Sequence, residues 1–126
     1  MPALNFMKEM APKVESGEKT HTIRARRKNP ISPGDTLYLY TGMRHKSCRL
    51  LKKTHCQYTC EIKITESFVK IDGQSLSRES IKNMAIADGF DSVEAFRDYF
   101  RKAHGFPFSG DIIYWPKNNL SSFLEV

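Results

Sequence analysis

The sequence lacks the features of a membrane or secreted protein. No apolar run approaches the roughly 18 residues that a membrane span needs. The first ten residues, MPALNFMKEM, carry charges too early for the apolar region of a secretory signal peptide. The cysteines number three, and an odd count favours free thiols in a reducing compartment over a disulfide framework. We therefore expect a soluble, cytoplasmic protein.

Motifs for metal binding and for hydrolase nucleophiles are also scarce. Seven residues separate Cys48 from Cys56, and three separate Cys56 from Cys60. The Cys-x2-Cys pair of a zinc knuckle is therefore missing, and His55 has no such pair to join. The G-x-S-x-G motif of serine hydrolases does not occur. We expect neither a metal nor a cofactor.

Positive charge is what the chain has in excess. Its 126 residues, 40% of them hydrophobic, suffice for one domain with one core. The formal net charge is +6. Residues 1–63 carry 13 Lys and Arg against 5 Asp and Glu, whereas residues 64–126 carry 7 against 9. This imbalance favours an anionic partner, and nucleic acid is the first candidate.

Hydrophobic periodicity and turn residues predict a mixed order of elements. The predicted strands cover 20–24, 36–40, 57–66, 68–71 and 110–115. The predicted helices cover 7–16, ended by Gly17, about 78–87, capped by Ser77, and a third that Asp91 caps with Glu94 completing a capping box. The basic segment 44–56 is interpreted as a short helix or a mobile loop. Strands outnumber helices and do not alternate with them, so we expect an α+β fold with helices beside a small curled sheet or barrel.

The stretch GEKTHTIR places an unusual number of polar side chains at the start of a predicted strand. Thr20, Thr22 and Arg24 share one face of that strand, and Lys19 stands at its entry. Together they would form a small pocket with two positive charges, suited to a phosphate, a carbonyl or the edge of a base. A lysine with a depressed pKa can also activate a threonine hydroxyl. The alternative is that the cations are solvated and that the threonines are there as strand formers.

Three motifs in this order resemble those of ASCH domains, which belong to the PUA-like superfamily. The motifs are SGEKTHTIR, PGDTLYLYTGMR and ADGFDSVEAFRDYF, and the similar region covers roughly residues 6–115. The family pattern is G-x-K-T-x-T-I-R, then P-G-D before a strand, then an acid-Gly pair before an amphipathic helix. The resemblance implies one domain over residues 1–126, a small PUA-like β-barrel with flanking helices and a basic insert at about 42–60. It also implies binding of RNA or of a modified base.

The resemblance further implies a candidate reaction. One bacterial branch of ASCH proteins hydrolyses N4-acetylcytidine to cytidine and acetate with a Lys, a Thr and a Glu. Motif matching places the Lys on Lys19, the Thr on Thr22 and the Glu near Asp88, which is shorter by one methylene. In this hypothesis Thr22 attacks the acyl carbon, Lys19 takes the hydroxyl proton, and Arg24 or a backbone N–H holds the oxyanion. Asp88 pairs with Lys19 or acts as acid and base; otherwise it is a surface acid between two helices.

Further side chains are predicted to contact the substrate or nucleic acid. Thr20, Arg24 and Tyr40 are the predicted substrate-binding residues, with Tyr40 stacking on a base or else packing with its hydroxyl outward. The basic side chains form a predicted phosphate-binding surface, or else solvated loops: Arg26, Arg27, Lys28, Arg44, Lys46, Arg49, Lys52 and Lys53.

Three functions therefore stay open. The first is binding of a nucleoside or RNA in the pocket, with hydrolysis of N4-acetylcytidine. The second is a non-catalytic module that binds RNA or modified DNA and in which the basic insert dominates. The third is an interaction protein of a phage or mobile element that acts on a host factor.

Overall fold

Two β-sheets and three α-helices make up residues 2–117, the part of the chain that the computed structural model describes. The strands are β1 (Ala3–Phe6), β2 (His21–Ala25), β3 (Thr36–Thr41), β4 (Arg49–His55), β5 (Tyr58–Ile64), β6 (Val69–Ile71), β7 (Gln74–Ser75) and β8 (Phe108–Tyr114). The α-helices are α1 (Ala11–Ser16), α2 (Arg78–Ala87) and α3 (Val93–Ala103), and a 3-10 turn (Lys8–Met10) precedes α1.

The sheets are separate in their hydrogen bonding. One has the order β1-β3-β4, with β1 parallel to β3 and β3 antiparallel to β4. The other has the order β2-β8-β5-β6-β7 and is antiparallel throughout. The predicted α+β class is confirmed, while within residues 2–117 neither sheet closes into a barrel. Strands β1 and β2 are each an outer strand of their sheet, and residues of both line one cavity.

Alternation along β8 divides the apolar core into two clusters. Ile113 packs with β1, β3 and α1, so this cluster joins the two sheets. Ile112, on the other face of the strand, packs with β2, β5, β6 and the helices α2 and α3. Both side chains are buried because the five-stranded sheet is covered on both faces.

The N-terminal segment differs from the prediction of a single helix over 7–16. It begins with β1, where Leu4 and Phe6 alternate into the core, and continues as the 3-10 turn and α1. Pro12 lies in the first turn of α1, where its missing N–H leaves no hydrogen bond unmade. Gly17 ends the helix as predicted, with a left-handed φ of 86° that favours glycine. The sequence prediction missed β1 because a four-residue strand has little periodicity of its own.

The basic segment 44–56 was predicted as a helix or a mobile loop, and this prediction is wrong for most of it. Residues 49–55 form β4, which pairs along the length of β3. Strand β4 is an outer strand, and exposed lysines are common on outer strands because they discourage pairing with other chains. The interpreted insert at 42–60 therefore contains β4 and the start of β5, which residues 56–57 connect, and its first residues form a loop.

The helix caps are confirmed for α2 and corrected for α3. The Ser77 hydroxyl accepts a hydrogen bond from the Ser80 N–H at 3.1 Å and caps α2. At α3 the cap is Ser92, whose hydroxyl accepts from the Ala95 N–H at 3.0 Å, and not Asp91. Ser92 has the extended backbone that a cap residue needs. None of the helices in residues 2–117 is both long enough and apolar enough to cross a membrane.

Candidate functional site

A cavity of about 220 Å³ lies between the outer strands β1 and β2 and the helix α3. Its polar lining consists of Asn5, Lys19, Thr22, Arg24, Asp88 and His104. Its apolar lining includes Phe6, Met7, Met10, Phe90, Tyr99 and Phe100. The volume is below the roughly 300–1,000 Å³ of sites for drug-sized ligands. Its mixed lining suits a small ligand that has both polar groups and apolar surface.

Lys19 reaches this cavity because of the turn that ends α1. Gly17 in the left-handed region reverses the chain, and the Lys19 N–H donates to the Lys13 carbonyl at 3.0 Å. One residue later, the Trp115 N–H donates to the Thr20 carbonyl at 3.0 Å and holds the start of β2 against the end of β8. The Lys19 side chain is therefore directed inward, and only 3% of the residue is exposed.

Asp88 is the partner of Lys19, as the pairing hypothesis expected. The Lys19 ammonium lies 2.6 Å from the Asp88 Oδ1 and also donates to the Asp88 backbone carbonyl at 2.7 Å. In addition, Lys13 Nζ donates to the Gly89 carbonyl at 2.9 Å. Two ammonium groups therefore neutralise the carbonyl end of α2, which explains how a carboxylate is tolerated where the helix dipole opposes it.

Burial favours the neutral form of both Lys19 and Asp88. Desolvation lowers the pKa of Lys19, and the charge of Asp88 opposes this only in part. Desolvation likewise raises the pKa of Asp88 to about 6, against the attraction of Lys19. Lys19 is therefore easier to deprotonate than a solvated lysine. A general base requires this neutral amine.

His21 is a buried neighbour of the pair that the sequence analysis did not assign to the site. Its Nε2 lies 3.2 Å from the Asp88 Oδ1, but within residues 2–117 it makes no aligned hydrogen bond. Desolvation and the Lys19 charge lower the pKa of His21 to about 3, so the imidazole is neutral. Strand alternation alone put His21 on the face opposite Thr22, and only the position of α2 shows that Asp88 contacts it.

Thr22 and Arg24 form the second half of the polar lining. The Arg24 Nε donates to the Thr22 Oγ1 at 3.1 Å, and the Arg24 Nη2 donates to the Asn5 carbonyl at 2.7 Å. Arg24 also lies over the Phe6 ring, 5.0 Å from its centroid. Among the residues that the structure describes, the hydrogen-bond partner of the Thr22 hydroxyl is Arg24, while Lys19 donates to Asp88. The cavity thus contains two pairs, Lys19 with Asp88 and Arg24 with Thr22. Lys19, the candidate base, does not donate a hydrogen bond to Thr22, the candidate nucleophile.

Two of the predicted substrate-binding residues lie outside the cavity lining. Thr20 is at the entry to β2, and Tyr40 pairs with Asn5 and Leu50 within the three-stranded sheet. Thr20 precedes β2, which begins at His21, so the strand alternation that would put it on the face of Thr22 does not extend to it. The aromatic surface of the cavity comes from other parts of the chain.

Some members of the predicted basic surface contact other groups of the protein, and others form no ion pair among the residues that the structure describes. Arg26 pairs with Asp111 at 2.9 Å, and Arg49 pairs with Glu15 at 2.6 Å. Lys52 Nζ donates to the Lys117 carbonyl at 2.9 Å, and Lys53 Nζ lies 5.6 Å from the centroid of the Tyr38 ring. The remaining predicted members are exposed and make no ion pair within residues 2–117: Arg27, Lys28, Arg44 and Lys46.

Helix α3 supplies cavity residues that the sequence analysis missed. Tyr99 and His104 line the cavity together with Phe90, which precedes the helix. Asn5, in β1, and Met7, which follows β1, also line the cavity. The helical stripe of α3 was recognised from the sequence, but a residue beside that stripe cannot be assigned to a cavity before the helix has been placed against β1 and β2.

The cysteines are not grouped with other possible metal ligands in the part of the chain that the structure describes. Cys48 is exposed, Cys56 is buried and Cys60 is half-buried, and all three are free thiols. Over the range 2–117, no three His, Cys, Asp or Glu residues lie together in a group that could hold a metal ion.

Comparisons of the chain with protein-family models, with curated proteins and with solved structures gave no match. The geometry of the cavity and the chemistry of its lining are therefore the basis for a functional assignment.

Proposed function

We propose that the chain is an ASCH-type, PUA-like domain whose cavity binds a nucleoside and hydrolyses N4-acetylcytidine to cytidine and acetate. The observation that carries the proposal is the convergence of Lys19, Thr22 and Asp88 on one cavity, from segments almost 70 residues apart. The ASCH motifs match Lys19 and Thr22, and they place the family Glu near Asp88, which is an Asp here. The PUA-like assignment is supported by two sheets that share an apolar cluster and whose outer strands, β1 and β2, both line the cavity.

The proposed reaction divides into acyl transfer and hydrolysis. In the first step the Thr22 oxygen attacks the acetyl carbon, its proton passes to the neutral Lys19 amine, and the amide bond breaks. Cytidine leaves after its amino nitrogen takes that proton, and the acetyl group stays as an ester on Thr22. In the second step Lys19 takes a proton from the attacking water and passes it to the Thr22 oxygen as the ester bond breaks. The Thr22 hydroxyl is restored, and the acetic acid loses its remaining acidic proton to solvent and leaves as acetate. Arg24, already 3.1 Å from the Thr22 oxygen, is positioned to stabilise negative charge that develops beside it.

The shorter side chain of Asp88 fits this role because of how α2 ends. Lys19 is bound by both the carboxylate and the backbone carbonyl of Asp88, so the end of the helix itself lies against the ammonium. In the proposed reaction Asp88 positions Lys19, and it takes the surplus proton of Lys19 when the amine is to act as a base. A pKa of about 6 makes Asp88 a suitable acceptor for that proton.

The decisive test is release of cytidine from N4-acetylcytidine, followed by chromatography. Thr22→Ala removes the nucleophile, and we expect turnover to fall by at least about 100-fold. Thr22→Ser keeps a hydroxyl and should keep part of the activity. The matched control is Thr20→Ala, which removes a threonine of the same segment from outside the cavity and should leave turnover unchanged. Wild-type protein without turnover, or full turnover in Thr22→Ala, contradicts the proposal.

A second candidate, a non-catalytic module that binds RNA or modified DNA, is favoured by one separate observation. Arg27, Lys28, Arg44 and Lys46 are exposed, and within the described range they have no acidic partner. Cations that have no acidic partner among the described residues can bind phosphates without first breaking such an ion pair.

Salt dependence separates this candidate from a nucleoside pocket. Binding of a single-stranded RNA should weaken as salt rises, with a slope of about −0.7 for each phosphate neutralised. The double variant Arg27→Ala/Arg44→Ala should reduce that slope. The matched double variant Arg26→Ala/Arg49→Ala removes two arginines that already pair with acids, and it should reduce the slope less. Equal effects of the two double variants would speak against a docking role for the cations without partners.

A further inference from the structure

Tyr99 is a partly exposed aromatic side chain beside the buried apolar stripe of α3. On α3, Phe96 and Phe100 are fully buried in the core, whereas Tyr99 between them is 37% exposed. It is one of the side chains that line the cavity, and its exposed surface is therefore available to a ligand there. A large apolar side chain that stays partly exposed beside a cavity is a common feature of binding sites.

The Tyr99 ring is held in place by two other rings. It meets Phe100 edge-to-face, with 5.1 Å between the centroids, and it packs at a tilt against Phe90 at 5.5 Å. These contacts restrict the rotation of the ring before any ligand arrives. A ligand that stacks on such a ring loses less binding free energy to ordering of the protein than one that stacks on a freely moving side chain.

The position of Tyr99 relative to the polar lining suits a ligand with a flat ring and a polar group on its edge. Arg24 lines the same cavity as Tyr99, and its guanidinium donates to the Thr22 hydroxyl and to the Asn5 carbonyl. Met7, which is 43% exposed, lines the same cavity and adds a second apolar side chain. Lys19, Thr22 and Asp88 provide the polar groups of the same cavity.

We propose that Tyr99 determines specificity by stacking on a planar heteroaromatic ring, so that only ligands with such a ring bind in the cavity. Tyr40, which the sequence analysis predicted to stack on a base, does not line the cavity, and the stacking role falls to Tyr99. The ring specificity rests on the proposed nucleoside function for the identity of its ligand. It does not depend on hydrolysis, because the ring binds whether or not an acyl group is present.

The test is binding of three probes to the full chain by isothermal titration calorimetry. Cytidine has the ring without the acyl group, ribose has neither, and acetamide has the acyl amide without the ring. We expect cytidine to bind and the other two to bind far more weakly. Tyr99→Ala should weaken cytidine binding by about 5- to 150-fold, the range expected for stacking of one base on one aromatic side chain.

Three further variants keep the test independent of folding. Tyr99→Phe retains the ring and should retain most of the affinity, while Tyr99→Leu retains apolar bulk for packing and should lose affinity as Tyr99→Ala does. Tyr40→Ala removes a half-buried tyrosine outside the cavity and should bind cytidine like the wild type. Thermal unfolding of each variant verifies the fold.

The outcomes separate this inference from the proposed function. Cytidine binding that is reduced in Tyr99→Ala and Tyr99→Leu supports the ring specificity even if N4-acetylcytidine is not hydrolysed. Unchanged binding in both variants overturns it, even if hydrolysis is observed. It is also overturned if Tyr99→Phe loses as much affinity as Tyr99→Ala, or if the wild-type protein binds acetamide as well as it binds cytidine.

Discussion

Two groups of charged side chains in this protein contrast sharply in their surroundings. Lys19 and Asp88 pair inside the molecule, where each is 3% exposed. Arg49 and Glu15 also pair at 2.6 Å, but with both side chains largely in water. The distances are the same and the physical consequences are not, because water competes for the exposed pair and is excluded from the buried one. Burial therefore decides which of the many charges affect the fold and the chemistry of the cavity.

Removal of one buried charge should have the largest effect on stability. Asp88→Ala leaves the Lys19 ammonium inside the protein without a counter-charge, and we expect a loss of about 3–5 kcal/mol in the free energy of unfolding. Asp88→Asn keeps the shape and one acceptor oxygen, so it should cost less. Urea unfolding at neutral pH measures both.

The matched surface variant is Glu15→Ala, which removes the partner of Arg49. Because Arg49 is then solvated, we expect the unfolding midpoint to stay close to that of the wild type. Equal losses in Asp88→Ala and Glu15→Ala would contradict the distinction between the two groups.

At acid pH the buried groups His21 and Asp88 should change the free energy of unfolding with pH in opposite directions. The pKa of His21 falls from 6.5 to about 3, so the folded protein binds fewer protons than the unfolded chain between these values. The contribution of His21 to stability is therefore lost as pH falls from 6.5 to about 3, by up to about 1.4 kcal/mol per pH unit. The pKa of Asp88 rises from 3.8 to about 6, so its contribution decreases as pH rises through that window.

The variant His21→Asn separates these contributions. We expect the stability difference between wild type and His21→Asn to rise with pH from about 3 to 6.5 and to level off above that range. Unfolding in urea at a series of pH values provides the curve. A difference that does not change with pH would mean that His21 is not held in its neutral form by the fold.

A smaller effect tests how tightly the buried region is packed. Gly89 has a φ of 102°, and an added Cβ would overlap the Met10 sulfur, whereas Gly73 has a φ of 83° with open space around it. Both Gly89→Ala and Gly73→Ala impose a left-handed backbone on alanine, at about 1–2 kcal/mol. Gly89→Ala should cost a further 1–3 kcal/mol or so for the overlap. Equal losses by thermal unfolding would show that Met10 moves aside freely.

The parts of the fold that depend on local patterns could be predicted from the sequence. The alternation of Leu37 and Leu39 predicted β3, and both are buried. Gly17 and Ser77 marked helix ends by their local backbone chemistry. Strand β4 could not be predicted in this way, because its pairing with β3 outweighs a composition that is poor in strand formers.

The candidate site was predictable in part for the same reason. Lys19, Thr22 and Arg24 are close along the chain, and a strand period is enough to place them near one another. Asp88 entered through its motif, and its contact with Lys19 depends on how α2 ends against α1. Tyr99 and His21 were missed because their roles come from neighbours more than 60 residues away.

The sequence by itself determined the basic character of the chain, most of its strands and helices, and the polar cluster at the start of β2, since these follow from composition and from periods of two or 3.6 residues. Only the tertiary structure decided which charges are buried, which arginines are already paired, and that Tyr99 rather than Tyr40 faces the cavity. These depend on which surfaces meet across long sequence separations, and that is set by the packing of whole sheets and helices rather than by any local pattern.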